Sequence, residues 1–419
     1  MKPVLMVSDD VTGCVDSGAI FLSGGCSVTV DVDPARRSAV PDNADVIAYN
    51  MSSRTLLGTE AKRTHYALAS ELGRYPRLAA MKKMDIGFRG NASYEIEGLL
   101  QGLGAPVCFL MVHAPWRDTY TLDGLQYYEG VLLERSIVAR EDPLKRPSRS
   151  DVCGILGADT GLPVMGVGLE AVRGPGLADL VGRRIAEGGR ILVFDAVTED
   201  DGYRVVSALQ PVWPDALWAG SGGLAWALAK HFFRQPSEPA WTESDPPPRC
   251  ACFCASKIST TLNQIAVARD RLGLQVVDVR MGEILSRGDR FREEIRRVAD
   301  ACLGVSPRED FLVMPLVPDG LEDAGLPELI LEALSVCAAE VCGLREFDRL
   351  VVIGGETSQA VFRALGVGTL RLQARPETGL GMGLIGDGPL AGKSFSIKGG
   401  VCGSPEALCK MLGKYAVMT

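Results

Sequence analysis

The chain has 419 residues, 47% hydrophobic and 23% charged, with 48 glycines, so it is expected to be globular and to fold as two or three domains. Its net charge is -8 and it carries no basic stripe. That excludes nucleic acid as the main partner but leaves small anionic ligands open, because they need only a few local cations.

The elements are predicted in chain order. Residues 4–7 form a short apolar strand that runs into Ser8-Asp9-Asp10-Val11-Thr12-Gly13. Open α/β sheets place ligands at the carboxyl ends of their strands. Two carboxylates there suit a polar cleft, a metal, or a hydroxyl that must lose its proton. A helix cap is the alternative reading, since Asp and Thr both cap well. Strands follow over residues 27–32 and 46–51, the second ending at Ser52-Ser53-Arg54, and residues 59–72 have helical periodicity. Next, Met81-Lys82-Lys83-Met84-Asp85-Ile86-Gly87-Phe88-Arg89-Gly90-Asn91 gathers cations and an acid around two glycines. Arg binds carboxylates through a bidentate fork and Lys offers a point charge to phosphate. A solvated turn is the plainer reading. Residues 107–112 are a strand, 177–187 a helix, and 191–194 a strand ending at Asp195. This alternation implies a mostly parallel sheet flanked by helices.

Residues 235–249 hold Pro236, Pro239, Pro246, Pro247 and Pro248 and read as an interdomain linker. A second α/β series follows. Strands are expected at 250–254, 274–279, 311–316 and 350–353, and helices at 260–272, 327–341 and 358–365. The last of those strands runs into Gly354-Gly355-Glu356-Thr357-Ser358, a double-glycine turn before a helix. Glycines allow close backbone approach to phosphate, and a helix start offers free N–H groups. Lys398-Gly399-Gly400-Val401-Cys402-Gly403-Ser404 is a second such turn, which suggests a nucleotide site between the two. The dinucleotide-like Gly381-Met382-Gly383-Leu384-Ile385-Gly386 lacks a preceding strand. The stretch ending Gly392-Lys393-Ser394 lacks the first glycine of a phosphate loop and is followed by a strand.

The 12 cysteines are scattered, and Cys250, Cys252 and Cys254 alternate as on a strand without zinc spacing. Only His65, His113 and His231 occur, so a histidine metal site is not expected. Free thiols and the absence of a signal-like start or a long apolar run predict a cytoplasmic protein without a membrane partner.

In this order, the segments resemble the four-carbon acid-sugar kinase family over nearly the whole chain. Residues 8–13 look like its Ala-Asp-Asp-Leu-Thr-Gly, and Ser53-Arg54 with Glu60-Ala61 like its Ser-Arg segment. Residues 83–90 stand where it has Lys-x-Asp-Ser-Thr-x-Arg-Gly. Asp142-Pro143, Asp195-Ala196 and Gly220-Ser221-Gly222-Gly223-Leu224 fall in family order. Ser256-Lys257-Ile258-Ser259 with Gln264 resembles its Gly-Ser-x-Ser-x-x-x-x-x-Gln, and the two glycine turns resemble its nucleotide contacts. Two departures stand out: Ile86-Gly87 replaces the two hydroxyl residues, and residues 113–119 replace the family's Pro-Ala-Phe-Pro segment. Both fall in the expected sugar-acid pocket, where lost donors should alter substrate choice.

The resemblance implies two α/β domains, each a mostly parallel sheet with helices, with a cleft between them. They would be a sugar-acid-binding domain over 1–235, a linker over 236–249 and a nucleotide-binding domain over 250–419. It implies an ATP-dependent kinase acting on a hydroxyl of a small sugar acid, with Mg2+, and it is compatible with a homo-oligomer. Arg54, Arg89 and Lys83, with Ser53, Gly90 and Asn91, would hold the substrate. Asp10 or Asp85 would accept the hydroxyl proton, and Asp9 would orient it or hold Mg2+. ATP would be bound by Ser256, Ser259, Gly354, Gly355, Glu356, Thr357, Gly399, Gly400 and Gly403. A catalytically silent sugar-acid-binding relative and a dinucleotide-dependent oxidoreductase resting on residues 381–386 are the alternatives.

Overall fold

The computed structural model describes residues 2–35, 43–141, 146–233, 246–318, 320–321 and 325–414. Asp142-Pro143 and residues 236–245 of the predicted linker lie outside them. The chain divides into two compact units, Met1–Val28 with Val40–Glu238, and Thr29–Ala39 with Pro239–Thr419. The second unit thus takes in an early segment that a contiguous division at residue 235 does not anticipate. Within that unit the Val32 N–H donates to the Gly368 carbonyl at 2.9 Å.

The strands before residue 233 are β1 (Val4–Ser8), β2 (Val28–Asp31), β3 (Val46–Asn50), β4 (Ala79–Lys83), β5 (Cys108–Met111), β6 (Tyr120–Leu122), β7 (Leu125–Tyr128), β8 (Val131–Leu132), β9 (Val164–Val167), β10 (Ile191–Phe194) and β11 (Leu217–Gly220). Those after it are β12 (Cys250–Cys254), β13 (Gln275–Arg280), β14 (Phe311–Leu316), β15 (Arg349–Ile353), β16 (Thr369–Ala374), β17 (Leu380–Ile385) and β18 (Ser394–Lys398).

In the first unit the order is β3-β1-β4-β11-β5-β10-β9, every neighbour parallel. Strands β6, β7 and β8 form a separate antiparallel sheet. All residues of β1, β3 and β4 are buried, as a parallel sheet covered on both faces requires. Their side chains join the helix residues Leu68, Leu72, Ile96 and Leu99 in one core. Strand β1 lies between β3 and β4, so the strands that follow it are added on opposite sides of it. That is a topological switch point, and it puts Asp9 and Asp10 at its mouth.

The second unit runs β13-β14-β12-β15-β18-β17-β16. The first five are parallel, and β17 is antiparallel to both neighbours. Here the switch point lies between β12 and β15, above Ser256 and Gly354. Cys250, Cys252 and Cys254 are buried in β12 as part of the second core. Of the dinucleotide-like glycines, Gly381 and Gly383 lie in β17, where Gly381, Met382 and Gly383 pair with Ile397, Ser396 and Phe395, and Gly386 follows its end. A Cβ on Gly383 would sit 2.0 Å from the Arg371 carbonyl oxygen, so that glycine serves strand contact rather than a cofactor turn. Lys393 donates to the Phe347 carbonyl and Ser394 opens β18, so the phosphate-loop look-alike is a turn into a strand. Among the described residues no helix is long and apolar enough to cross a membrane, and no group of three or more His, Cys, Asp or Glu is placed to hold a metal ion.

Candidate active site

Arg54 is the hub of the first unit's site. Its Nε donates to Asp9 Oδ2 at 2.8 Å, its Nη1 lies 3.3 Å from Asp10 Oδ2, and its Nη2 lies 3.8 Å from Asp85 Oδ1. Three segments remote in sequence therefore meet on one guanidinium: the ends of β1 and β3, and the loop after β4. Asp10 is also the N-cap of the helix Val11–Leu22, with Oδ1 accepting from the Gly13 N–H at 2.8 Å and Oδ2 from the Thr12 hydroxyl at 2.5 Å. The cap and the contact with Arg54 coexist on one carboxylate. Gly90 has φ +99, and a Cβ there would lie 3.4 Å from Asp9 Oδ2 and 3.5 Å from Arg54 Cγ. Ser52 (φ 46) and Phe88 (φ 53) flank the cluster in the left-handed region, a conformation that costs roughly 1–3 kcal/mol and is concentrated at functional sites.

Asp85 is saturated. Its Oδ2 accepts from Arg89 Nε at 2.8 Å and from the N–H groups of Gly87 and Arg89 at 3.1 Å each, and its Oδ1 accepts from Arg89 Nη2 at 2.8 Å. Burial alone would raise its pKa, but Arg89, Arg54 and Lys83 outweigh it and hold the carboxyl well below the usual range. Asp9 follows the same balance, with burial opposed by Arg54 and Lys82 and the net shift downward. One Asp9 oxygen, Oδ1, is buried with no hydrogen-bond partner among the described residues.

Behind the cluster, Lys82 pairs with Glu95 at 2.9 Å, both nearly inaccessible. Ser53 donates to the same carboxylate at 2.5 Å. Asn91 Nδ2 donates to the carbonyls of Ser53 and Leu56 at 2.8 and 2.9 Å. Ser53 and Asn91 thus fix the loops that carry Arg54 and Arg89. Both arginines are engaged by the protein's own carboxylates. Lys83 differs: its Nζ donates to the Met84 carbonyl at 2.7 Å, it is buried, and it pairs with no carboxylate among the described residues. His113 and Trp116 lie against glycines. A Cβ on Gly223 would sit 2.5 Å from His113 Nε2, and one on Gly222 would sit 2.9 Å from Trp116 Cζ2. Asp195 accepts from the N–H groups of Asp123, Gly124 and Leu169, tying three loop positions together.

In the second unit, the register Cys254↔Ile353↔Lys398 brings three strand ends side by side. Gly354 has φ +102, donates its N–H to the Lys398 carbonyl at 2.9 Å, and caps the helix Gly355–Ala364. Gly355, exposed Glu356 and buried Thr357 form that helix's first turn. A Cβ on Gly400 would lie 2.9 Å from Ser256 Oγ, so these two residues adjoin. Ser259 opens the helix Ser259–Leu272 and is exposed. Gly403 has φ +92, and Gly399 packs close to Cys402. The glycines, Ser256 and two helix starts form a cradle rich in backbone N–H groups, which suits phosphate.

Sequence reasoning did not single out Glu95, Thr261 or Glu377, and it quoted Lys398 only as the first residue of a glycine turn. Glu95 has no motif and is found only by its buried partner Lys82. Lys398 otherwise reads as an ordinary strand end.

Residues 4–228 match the family described as the sugar-binding N-terminal domain, and residues 251–408 the nucleotide-binding C-terminal domain. The chain is 28% identical over 415 residues to a D-threonate kinase of Cupriavidus necator, covering 96% of each chain. It is 26% identical to a 3-oxo-tetronate kinase of Pseudomonas fluorescens, covering 99% of this chain and 98% of that one. A crystal structure of a Salmonella typhimurium LT2 protein shares the fold with a TM-score of 0.80 at 20% identity, covering 97% of this chain and 98% of that one.

Proposed function

The chain belongs to the four-carbon acid-sugar kinase family, and we propose that it phosphorylates a hydroxyl of a four-carbon sugar acid at the Arg54 cluster, with ATP held by the second unit. The observation that carries this reading is the family match across both units, with candidate residues of each unit at a switch point of its sheet.

Lys83 is the cation for the substrate's carboxylate, since Arg54 and Arg89 already serve Asp9, Asp10 and Asp85. The arginines hold those carboxylates in place and keep the site's charge balanced. Asp10 accepts the hydroxyl proton. Asp85 is a poor acceptor, because four donor contacts stabilise its ionised form and make it a weak base. Asp10 is the more exposed of the two, at 13% against 8%.

The site also fits Mg2+. Asp9 Oδ1 is a buried oxygen without a hydrogen-bond partner among the described residues. Mg2+ is held by one or two carboxylates together with water and substrate phosphates, so no all-protein cage is needed. When bound, it neutralises charge on the transferring phosphoryl group. In the second unit, Ser256 and the N–H groups of the two glycine turns hold the nucleotide phosphates.

The test is ADP release from ATP and Mg2+ against a panel of four- to six-carbon sugar acids and their oxo forms. Turnover with a four-carbon acid is expected. Tight sugar-acid binding with no turnover on any acid would favour a silent relative. A dinucleotide-dependent oxidoreductase is not favoured, because Gly381 and Gly383 are strand residues and no helix follows them.

A further inference from the structure

Lys398, the last residue of β18, is fully buried and pairs with no carboxylate among the described residues. Its Nζ donates to the Gly399 carbonyl at 3.0 Å and lies 3.5 Å from the Gly400 carbonyl and 3.3 Å from Thr261 Oγ1. Thr261 donates its own hydroxyl proton to the Gly400 carbonyl at 2.6 Å. Gln264 Nε2 faces the carbonyls of Cys402, Gly403 and Ser404 at 3.0, 3.1 and 2.9 Å. The Ser404 N–H and hydroxyl both go to Glu377. The carbonyls of this turn are therefore drawn onto side chains of β18 and the helix Ser259–Leu272. The N–H groups of Gly400, Val401 and Gly403 make no hydrogen bond among the described residues.

An uncompensated buried ammonium is costly, and it persists only where something else offsets that cost. We propose that Lys398 is a positioning residue for the nucleotide. Its ammonium draws in the Gly399 and Gly400 carbonyls and so holds the turn's free N–H groups ready for phosphate. Bound phosphate in turn supplies the counter-charge that the ammonium lacks. This rests on the reading of the second unit as the nucleotide site.

A linkage supports it. Burial pulls the Lys398 pKa down to about 8, against the opposing influence of Cys402, Cys254 and Glu377. Phosphate binding must then favour the protonated form, so affinity falls as pH rises through that value. The phosphates of ADP lose their last proton near pH 6 to 7 and do not titrate higher.

The experiment is calorimetric titration of the full chain with ADP. From pH 7 to pH 9 the wild-type Kd should weaken about tenfold. Lys398→Met should weaken ADP binding at pH 7 by at least about tenfold, lose the pH dependence, and leave the ligand-free Tm unlowered, because an apolar isostere removes an unpaired charge. Cys402→Ser should keep the wild-type pH dependence. A flat wild-type profile, wild-type affinity in Lys398→Met, binding lost together with a large fall in Tm, or a pH dependence that vanishes in Cys402→Ser would each overturn the proposal. Wild-type chain that binds no ADP at any pH would instead overturn the nucleotide reading of the second unit.

Discussion

Replacing Asp10 and Asp85 by Asn in turn separates a proton acceptor from a carboxylate that holds the site together. In Asp10→Asn the cap on Gly13 survives, because Asn caps helices as well as Asp does. What is lost is the charge facing Arg54 Nη1 at 3.3 Å, while Arg54 keeps Asp9 at 2.8 Å. That pair is partly solvated, so stability should fall by about 1 kcal/mol, a Tm shift of roughly 2–4 °C for a unit of this size. If Asp10 takes the hydroxyl proton, kcat should drop by roughly 10²–10⁴, or about 3–5 kcal/mol on the barrier. Asp85→Asn should reverse the pattern. It strips the counter-charge from the Arg89 fork, whose contacts are 2.8 Å each, at a buried position. Breaking one side of such a pair costs about 3–5 kcal/mol, or roughly 6–20 °C in Tm. The assay is coupled ADP release on the accepted acid, with scanning calorimetry on the same preparations. If Asp10→Asn retains kcat within about threefold, the acceptor assignment is wrong. A loss of kcat confined to Asp85→Asn at unchanged Tm would move that role to the loop after β4.

Three further outcomes are expected. Gly354→Val forces a branched residue to φ +102 and places its Cβ 3.3 Å from Thr357 Oγ1, so ADP titration should show binding lost while sugar-acid binding survives. Lys83→Met should raise KM for the sugar acid by at least about tenfold and leave KM for ATP within about twofold, as read from steady-state kinetics with each substrate varied. Burial lowers both His65 and His113 to about 4. The unfolded chain binds those protons from about pH 6.5 downward and the folded chain only near 4, so stability is complete above about 6.5 and lost as pH falls toward 4. Denaturant melts should lose about 3 kcal/mol per histidine across that window, and His113→Gln should reduce the slope.

Much of the fold was legible in the sequence because parallel strands buried on both faces leave continuous apolar runs. Residues 191–194, 250–254 and 311–316 were placed at the bounds that the structure shows. The grouping of Thr29–Ala39 with the second unit was not legible, since nothing local marks which sheet a short strand joins. In the site, the cations and carboxylates were visible as residue types, but their pairing was not. Arg54 and Arg89 read as substrate ligands in the sequence, and nothing local announced the contacts with Asp9, Asp10 and Asp85 that the structure adds. Asp10 illustrates the limit in another way, because the sequence offered cap and site as alternatives and the geometry gives it both contacts. Glu95 was hidden because a buried charge is recognised by what surrounds it in space, and Lys398, although it opens a quoted glycine turn, gave no sign in the sequence that it is buried.

ATP-dependent phosphorylation of a four-carbon sugar acid is read out most plainly in the reaction product. The purified chain is incubated with ATP, Mg2+ and threonate, erythronate or 3-oxo-tetronate, and the acids are followed by mass spectrometry and phosphorus NMR. One acid should be converted to its phosphate monoester in equal amount to the ADP formed, with no phosphate released when the acid is left out. No phosphorylated product from any four-carbon acid, under conditions where the chain binds ATP and is folded, would contradict it.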